Sequence, residues 1–181
     1  MILTPDELRK HITTTEDDAA LEARLKAIEL MIRGYTHNNF QDRDFRREAE
    51  IVGGVFIVDA LTPFNPDDTV QVSQARLNKG LYTVKEVTDS TFTVVEPVLD
   101  ERDVLVTKVV YPADVKMGVI NLVKWEQNNR EKMGVQSESI SRHTVTYFNM
   151  DNENATMGFP KSLLGFLDPY IRARFGRGID T

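Results

Sequence analysis

The stretch LYTVKEVTDSTFTVVEP, residues 81–97, decides the fold class of this chain. Its Val, Thr, Tyr and Phe residues are typical of half-buried strands, and Asp89-Ser90 between the two runs favours a tight hairpin turn. Further strand-forming runs lie on both sides: GVFIVDA (54–60), TVQVS (69–73) and VLVTKVVYP (104–112). Several short strands at close spacing predict a small antiparallel β-barrel or sandwich module over residues 50–111.

Helical patterns flank this module on both sides. Thr4–Glu7 reads TPDE, a capping box with Pro at the first helical position, and predicts a short helix to about Ile12. A second helix is predicted from the acidic run 13–18 to residues 34–40, because apolar side chains recur at spacings of three and four. A third helix of roughly 18 residues should begin near Pro112. A last helix should begin at Pro160 and be interrupted at Asp168-Pro169.

The predicted fold class is therefore α+β, a small α-helical bundle with an inserted antiparallel β-module. The helical domain is expected to comprise residues 1–49 and 112–168, with the β-module at 50–111 and a C-terminal docking tail at 169–181. Insertion of one domain into another is physically ordinary when the ends of the insertion lie close together. The pair Gly53-Gly54 is expected to mark a bulge or bend where the chain enters the β-module.

Composition excludes several classes of protein. Of 181 residues, 41% are hydrophobic and 28% are charged, the balance of a soluble globular protein. No cysteine is present, which excludes disulfides and cysteine-based metal sites. No apolar run is long enough to suggest a membrane span, and MILTPDEL at the start has no signal-peptide character. A reducing cytoplasm is the default compartment.

No catalytic, cofactor or metal signature is found. His11, His37 and His143 are far apart and form no ligand motif. The acid-rich segments at 67–68, 100–103 and 151–154 lack the ligand spacing of a calcium loop and are interpreted as solvated loops. We therefore expect a protein that is not an enzyme and that needs no cofactor or metal. An enzyme with a cleft between helices and β-module is the alternative, and it would require carboxylates with strongly perturbed pKa values.

The C-terminal segment, GFPKSLLGFLDPYIRARFGRGIDT at 158–181, is the candidate functional site. Residues 1–50 carry net charge −3, residues 51–112 carry −4, and residues 113–181 carry +1. Three interpretations are open: a nucleic-acid contact, a last core helix, and a tail that docks on another protein. The acidic body disfavours DNA binding, and Tyr, Phe and Arg are enriched at interface hot spots. We favour the docking tail, with candidate contact residues Tyr170, Arg172, Arg174, Phe175 and Arg177.

Both ends of the chain resemble the head–tail connector, or adaptor, proteins of tailed bacteriophages and prophages. At the N-terminus the similar segments are LTPDELRKHI (3–12) and EDDAALEARLKAIELMIRGYTHNNF (16–40), with Tyr35 and Phe40 as an aromatic pair. At the C-terminus they are SRHTVTYF (141–148) and FPKSLLGFLDPYIRARFG (159–176). The resemblance covers about residues 1–50 and 112–178. The β-rich middle departs from it, since many members have only a brief connection there.

This resemblance implies a structural virion protein at the head–tail interface, or neck. Members form a ring, usually of twelve subunits, on the portal protein after DNA packaging. The ring extends the DNA channel without binding the genome specifically and offers a docking surface to the next head-completion or tail protein. Carried over by position, Tyr170, Arg172, Arg174 and Phe175 are the expected portal contacts. The alternative is another neck or tail-completion module of a phage or prophage that contacts DNA.

Overall fold

Helices occupy both ends of this α+β chain and strands its middle. The computed structural model describes residues 1–129, 137–140, 143–146 and 155–173. Met1–Ile2 and Asn39–Tyr111 form one compact unit, called here the barrel unit. The described residues of Leu3–Asn38 and Pro112–Thr181 form the other, called here the helical unit.

Six antiparallel strands of the barrel unit close into a barrel in the order β1-β2-β5-β4-β3-β6. This closure confirms the predicted small antiparallel module and selects a barrel over a sandwich. The strands are β1 (Gln41–Val52), β2 (Val55–Val58), β3 (Thr69–Ser73), β4 (Gly80–Val87), β5 (Thr91–Val94) and β6 (Glu101–Val109).

Aromatic and β-branched side chains fill the interior of the barrel. Phe56 stacks on Phe92 with ring centroids 4.5 Å apart, and Phe64 meets the same ring edge-on at 5.1 Å. Val70 and Val72 of β3, and Val104 and Val106 of β6, are buried at alternate positions, as the two-residue period of a strand requires. Full burial of a Phe or Val side chain contributes about 1.5–3 kcal/mol, so this core is the main source of stability for the unit.

The barrel begins earlier in the sequence than expected. Strand β1 starts at Gln41, whereas the strand pattern was expected only from Glu50, so part of the predicted helical domain is strand. The sequence DRDFRREAE at 42–50 lacks the apolar–polar alternation of a strand, because only Ala49 among these residues is both apolar and buried. The pair Gly53-Gly54 forms the two-residue turn between β1 and β2 rather than a bulge, with φ values of 58° and 83°. Positive φ at both positions is what tight hairpins demand.

Four α-helices and one 3₁₀ helix lie in the described part of the helical unit, together with two small antiparallel hairpins. The helices are α1 (Pro5–Arg9), α2 (Asp18–Thr36), α3 (Ala113–Asn129), α4 (Lys161–Leu164) and the 3₁₀ helix (Gly165–Tyr170). The hairpins pair β7 (Ser137–Ile140) with β8 (His143–Thr146) and β9 (Ala155–Thr156) with β10 (Phe159–Pro160).

Local sequence signals account for how the first two helices begin. The hydroxyl of Thr4 accepts the Glu7 N–H at 3.1 Å, and the Glu7 carboxylate accepts the Thr4 N–H at 2.9 Å, which is the predicted capping box. Asp17 caps α2 by accepting the N–H of Ala20 at 2.7 Å. The predicted apolar stripe of α2 is buried at Leu21, Leu25, Ile28 and Ile32.

The last helical segment differs from the prediction at its end. Asp168 and Pro169 do not interrupt it, because the chain has already changed to a 3₁₀ helix at Gly165 and continues through both residues to Tyr170. This tighter winding forms i to i+3 hydrogen bonds and suits short helical ends. The division between helix and tail, expected at Asp168-Pro169, therefore falls after Tyr170. Among the described residues, none of the helices combines the length and apolar character needed to cross a membrane.

Candidate functional site

Tyr170 is held inside the helical unit by both its side chain and its backbone. Its hydroxyl donates to the two carboxylate oxygens of Asp114, each at 2.9 Å, in the first turn of α3. Its carbonyl oxygen accepts from the amide Nδ2 of Asn38 at 3.2 Å. Tyr170 is also a predicted partner contact, and that stays a prediction; in the structure it has the geometry of an anchor for the segment that follows.

The backbone of Arg172 completes this anchor. Its N–H donates to the carbonyl oxygen of Thr36 at 2.8 Å. Thr36 is the last residue of α2, where carbonyl groups have no partner within the helix. The chain ends of α2 and of the 3₁₀ helix are thereby tied together.

Beyond Tyr170 the described chain is extended and exposed. Ile171 has φ −67° and ψ 124°, and its side chain is 46% exposed. Arg172 and Ala173 are exposed as well, and Arg172 forms no ion pair with any described residue. The candidate contact residues Arg174, Phe175 and Arg177 lie outside the described residues, so the structure brings together only Tyr170 and Arg172 of the predicted set.

Electrostatics reinforce the Tyr170 anchor. The hydrogen bond to Asp114 raises the pKa of the Tyr170 phenol above its ordinary value, and desolvation and the negative charge of Asp114 act in the same direction. Each of these favours the neutral phenol, because ionisation would place two anions side by side. The anchor is accordingly in its bonded form throughout the physiological pH range.

The acid-rich segment at 100–103 has a structural role that the sequence did not reveal. The Glu101 carboxylate accepts backbone N–H groups from Arg76, from Leu77 at 3.1 Å and from Asn78 at 3.0 Å, and the side-chain amide of Asn78 at 2.8 Å. Asp100 accepts the N–H of Gly53 at 2.7 Å. These carboxylates stabilise loops at one end of the barrel. The segment was interpreted as a solvated loop, and Asp100 and Asp103 are indeed exposed, but the chain from Glu101 onward is strand β6.

The pKa of Glu101 follows from this arrangement. Desolvation raises it, but the hydrogen bonds donated by Arg76, Asn78 and Leu77 together outweigh desolvation, and the pKa of Glu101 lies below its ordinary value. Hydrogen bonds to a carboxylate stabilise its charged form. Glu101 therefore stays ionised as a loop-stabilising group and lacks the raised pKa of a general acid.

Metal and histidine chemistry has no visible centre in the described residues. His11 and His37 are both exposed, and His37 ends α2 with a positive φ of 49°. Within the ranges that the structure describes, no three His, Asp or Glu side chains are grouped so as to hold a metal ion.

A basic segment on β1 was missed by the sequence reasoning. Arg43, Arg46 and Arg47 lie within five residues, around Phe45, which is 40% exposed. The signal was present in the sequence as RDFRR, an aromatic residue between arginines. It was overlooked because the net charge of the region is negative. No protein-family model and no curated protein matches this chain.

Proposed function

We propose that this chain is a structural head–tail connector of a tailed phage or prophage, which acts without catalysis as a ring of subunits on a portal protein. The observation that carries the proposal is the C-terminal segment. It is fixed at Tyr170 and Arg172, yet exposes Ile171, Arg172 and Ala173 as it leaves the helical unit. A firm anchor followed by an exposed segment with apolar and cationic side chains suits docking on a neighbouring protein.

Within this proposal the helical unit is the bundle that carries the tail. The sequence resemblance of residues 1–50 and 112–178 to connector proteins supports this assignment. The tail would contact the portal through Arg172, Arg174, Phe175 and Arg177, while Tyr170 positions it. The ring would extend the DNA channel at the neck of the virion and offer its other face to the next head-completion or tail protein.

The charge of the chain supports a conduit rather than a DNA-binding protein. Its formal net charge is −6, and an acidic wall attracts few phosphates, so that DNA can pass without being retained. The alternative, a neck or tail-completion module that grips DNA, requires salt-sensitive DNA binding by the isolated protein.

The position of the anchor determines which residues should be deleted to test this proposal. Removal of residues 174–181 leaves the Tyr170 and Arg172 anchors in place, so this truncation should fold as the full chain does and no longer bind the portal of the same phage. The measurement is co-sedimentation with assembled portal rings, with circular dichroism and thermal unfolding as the check on folding. The matched control is Lys161→Ala, an exposed cation on α4 outside the tail, which should bind normally. Undiminished portal binding by the truncated chain would reject the docking role of the tail.

A further inference from the structure

Strand β1 contains a three-residue bulge, from which basic and aromatic side chains project. In the pairing of β1 with β6, Asp42 is opposite Lys108 and Arg46 is opposite Thr107, so residues 43–45 have no counterpart on β6. Bulges of this kind bend the strand and redirect its side chains. The result is a projection of Arg43, Asp44 and Phe45 at the seam between β1 and β6, called here the basic bulge together with Arg46 and Arg47.

The arginines of the basic bulge have spare capacity to bind. Arg43, Arg46 and Arg47 form no ion pair with any described residue. Arg46 donates its Nε–H to the hydroxyl of Thr107 at 3.0 Å, and Arg47 donates from Nη1 to the carbonyl oxygen of Arg46 at 2.8 Å. The Nε of Arg47 is buried without a hydrogen-bond partner among the described residues. Each guanidinium therefore retains donors that suit carboxylates.

Phe45 gives the basic bulge an apolar centre. Its side chain is 40% exposed, and one face of its ring lies 5.6 Å from the Nζ of Lys108, which is paired with Asp68 at 2.6 Å. The Lys108 contact holds the ring in place. An exposed aromatic residue surrounded by arginines has the composition of an interface hot spot.

A patch of complementary composition lies across the barrel. In the closed strand order, the β5–β4 seam is diametrically opposite the β6–β1 seam, with three strands between them on either side. Glu86 of β4 and Asp89 of the β4–β5 turn have exposed side chains there, called here the acidic patch, and neither has an ion-pair partner among the described residues. Lys85, also exposed, offsets part of this charge.

The acidic patch also has an apolar element and lies toward the same end of the barrel as the basic bulge. Leu61 is 74% exposed, and the next residue, Thr62, donates its N–H to the carbonyl oxygen of Asp89 at 2.8 Å. The basic bulge lies opposite Thr107 and Lys108, near the C-terminal end of β6, and the β4–β5 turn follows the C-terminal end of β4. Both regions are therefore toward the end of the barrel at which β3 begins. Opposite faces with matching charge and apolar content are what head-to-tail association of identical subunits requires.

We propose that the basic bulge of one copy docks on the acidic patch of a second copy, with Phe45 packing near Leu61 and arginines facing Glu86 and Asp89. Two further observations favour a protein over a nucleic acid. Residues 39–111 carry 13 acidic and 8 basic side chains, and Asp42 and Asp44 flank the arginines. A duplex presents phosphates over a longer surface than the acidic patch presents carboxylates, so this negative charge opposes a nucleic acid more than it opposes the acidic patch. The inference concerns the barrel unit and does not depend on a portal protein.

The test uses the full chain and two variants that spare the structural hydrogen bonds. The bulge variant is Arg43→Glu with Phe45→Ser, which leaves Arg46 and Arg47 in place. The patch variant is Glu86→Lys with Asp89→Lys. The control is Lys79→Glu, which reverses an exposed cation near the start of β4, away from both regions. Circular dichroism and thermal unfolding establish that each variant folds.

Sedimentation velocity of each protein alone gives the first result. The wild type and the control should self-associate as concentration rises from about 10 µM to about 1 mM, the range of weak contacts. This association should weaken with added salt. Each variant should show at least about a tenfold weaker association, as expected when charges at a contact are reversed.

Mixing the two variants gives the second and sharper result. The bulge variant retains its acidic patch and the patch variant retains its basic bulge, so an equimolar mixture should form a 1:1 complex and grow no further. A mixture that stays monomeric, a monomeric wild type over the whole range, or variants that associate like wild type would each overturn the proposal. Binding of a DNA duplex that only the bulge variant loses, with a monomeric wild type, would reassign the basic bulge to a polyanion.

Discussion

Gly118 illustrates how one residue sets the packing of the helical unit. It lies in α3, and a Cβ added there would fall 2.4 Å from ring carbons of Phe166. We predict that Gly118→Ala destabilises the helical unit by about 1–3 kcal/mol, because overpacking outweighs the better helix propensity of Ala. Denaturant unfolding measures this difference.

The matched control for this change is Gly34→Ala on α2. An added Cβ at Gly34 meets no atom within 4 Å, so this substitution should stabilise the protein by up to about 1 kcal/mol through helix propensity alone. If Gly118→Ala proved as stabilising as Gly34→Ala, the close packing of Phe166 on α3 would be disproved.

Glu101 makes the stability of the barrel unit depend on pH in the acidic range. Its pKa in the folded protein lies below its ordinary value of 4.5, so its stabilising contribution is complete above that pH and is lost as pH falls through the folded pKa. We predict that Glu101→Gln lowers stability most at neutral pH, and that the difference from wild type shrinks below about pH 4.5. The measurement is the free energy of unfolding in urea, at about five pH values between pH 3 and pH 7.

A neighbouring carboxylate on the same barrel provides the comparison. Glu48 is exposed and accepts no hydrogen bond from the described residues. Glu48→Gln removes no hydrogen bond to a described residue and should therefore leave stability at neutral pH close to that of wild type. If the stability difference between wild type and Glu101→Gln were the same at every pH, the carboxylate charge of Glu101 would have no part in stabilising the loop at residues 76–78.

At the scale of elements, the Tyr170 phenol is one of three hydrogen-bonding groups that fix the end of the 3₁₀ helix. The pKa of Tyr170 is raised above its ordinary value of 10.0, so its contribution is present below that pH and is lost as pH rises through the folded pKa. We predict that Tyr170→Phe lowers stability at neutral pH and exposes residues 170–173 to faster amide exchange. The stability difference from wild type should close in strong alkali. Denaturant unfolding and hydrogen exchange measure the two effects.

Tyr35→Phe is the control for the loss of a phenol. Tyr35 lies on α2, is partly buried, and its hydroxyl makes no hydrogen bond to any described residue. Its removal should leave exchange at residues 170–173 as in wild type. Equal exchange in Tyr170→Phe and wild type would mean that the Asp114 contact does not hold the tail.

Elements that are specified by residues close together in the sequence were predictable. The capping box at Thr4, the apolar stripe of α2 and the turn at residues 88–90 each depend on residues close together in the chain. Strand β1 was not predictable, because its bulge and its charged side chains remove the alternation that identifies a strand. Asn78 lies 23 residues from Glu101 along the chain, and Asp114 lies 56 residues from Tyr170. No local sequence pattern predicts contacts over such separations.

At the scale of the whole molecule, each unit has a hydrophobic core of its own. The barrel core is formed by Phe56, Phe92 and the surrounding Val residues, while Leu21, Leu25 and Leu122 are among the fully buried residues of the helical unit. We predict that unfolding is not two-state. Gly118→Ala should shift the transition of the helical unit, and Glu101→Gln that of the barrel unit.

Calorimetry combined with hydrogen exchange measures which residues unfold in each transition. The two single variants serve as controls for one another, since each should leave the other unit unchanged. A single transition that both substitutions shift by the same amount would show that the units unfold together.

Closure of the barrel has a consequence for a chain that, as proposed, assembles in several copies. Every strand of the barrel has a partner on both sides, so no strand is an edge strand along its whole length, although β2 covers only Ala49–Val52 of β1. Open edges are templates for amyloid-like aggregation. The barrel unit can therefore be crowded against identical copies without presenting a complete edge strand, and single substitutions of surface side chains can tune its contacts.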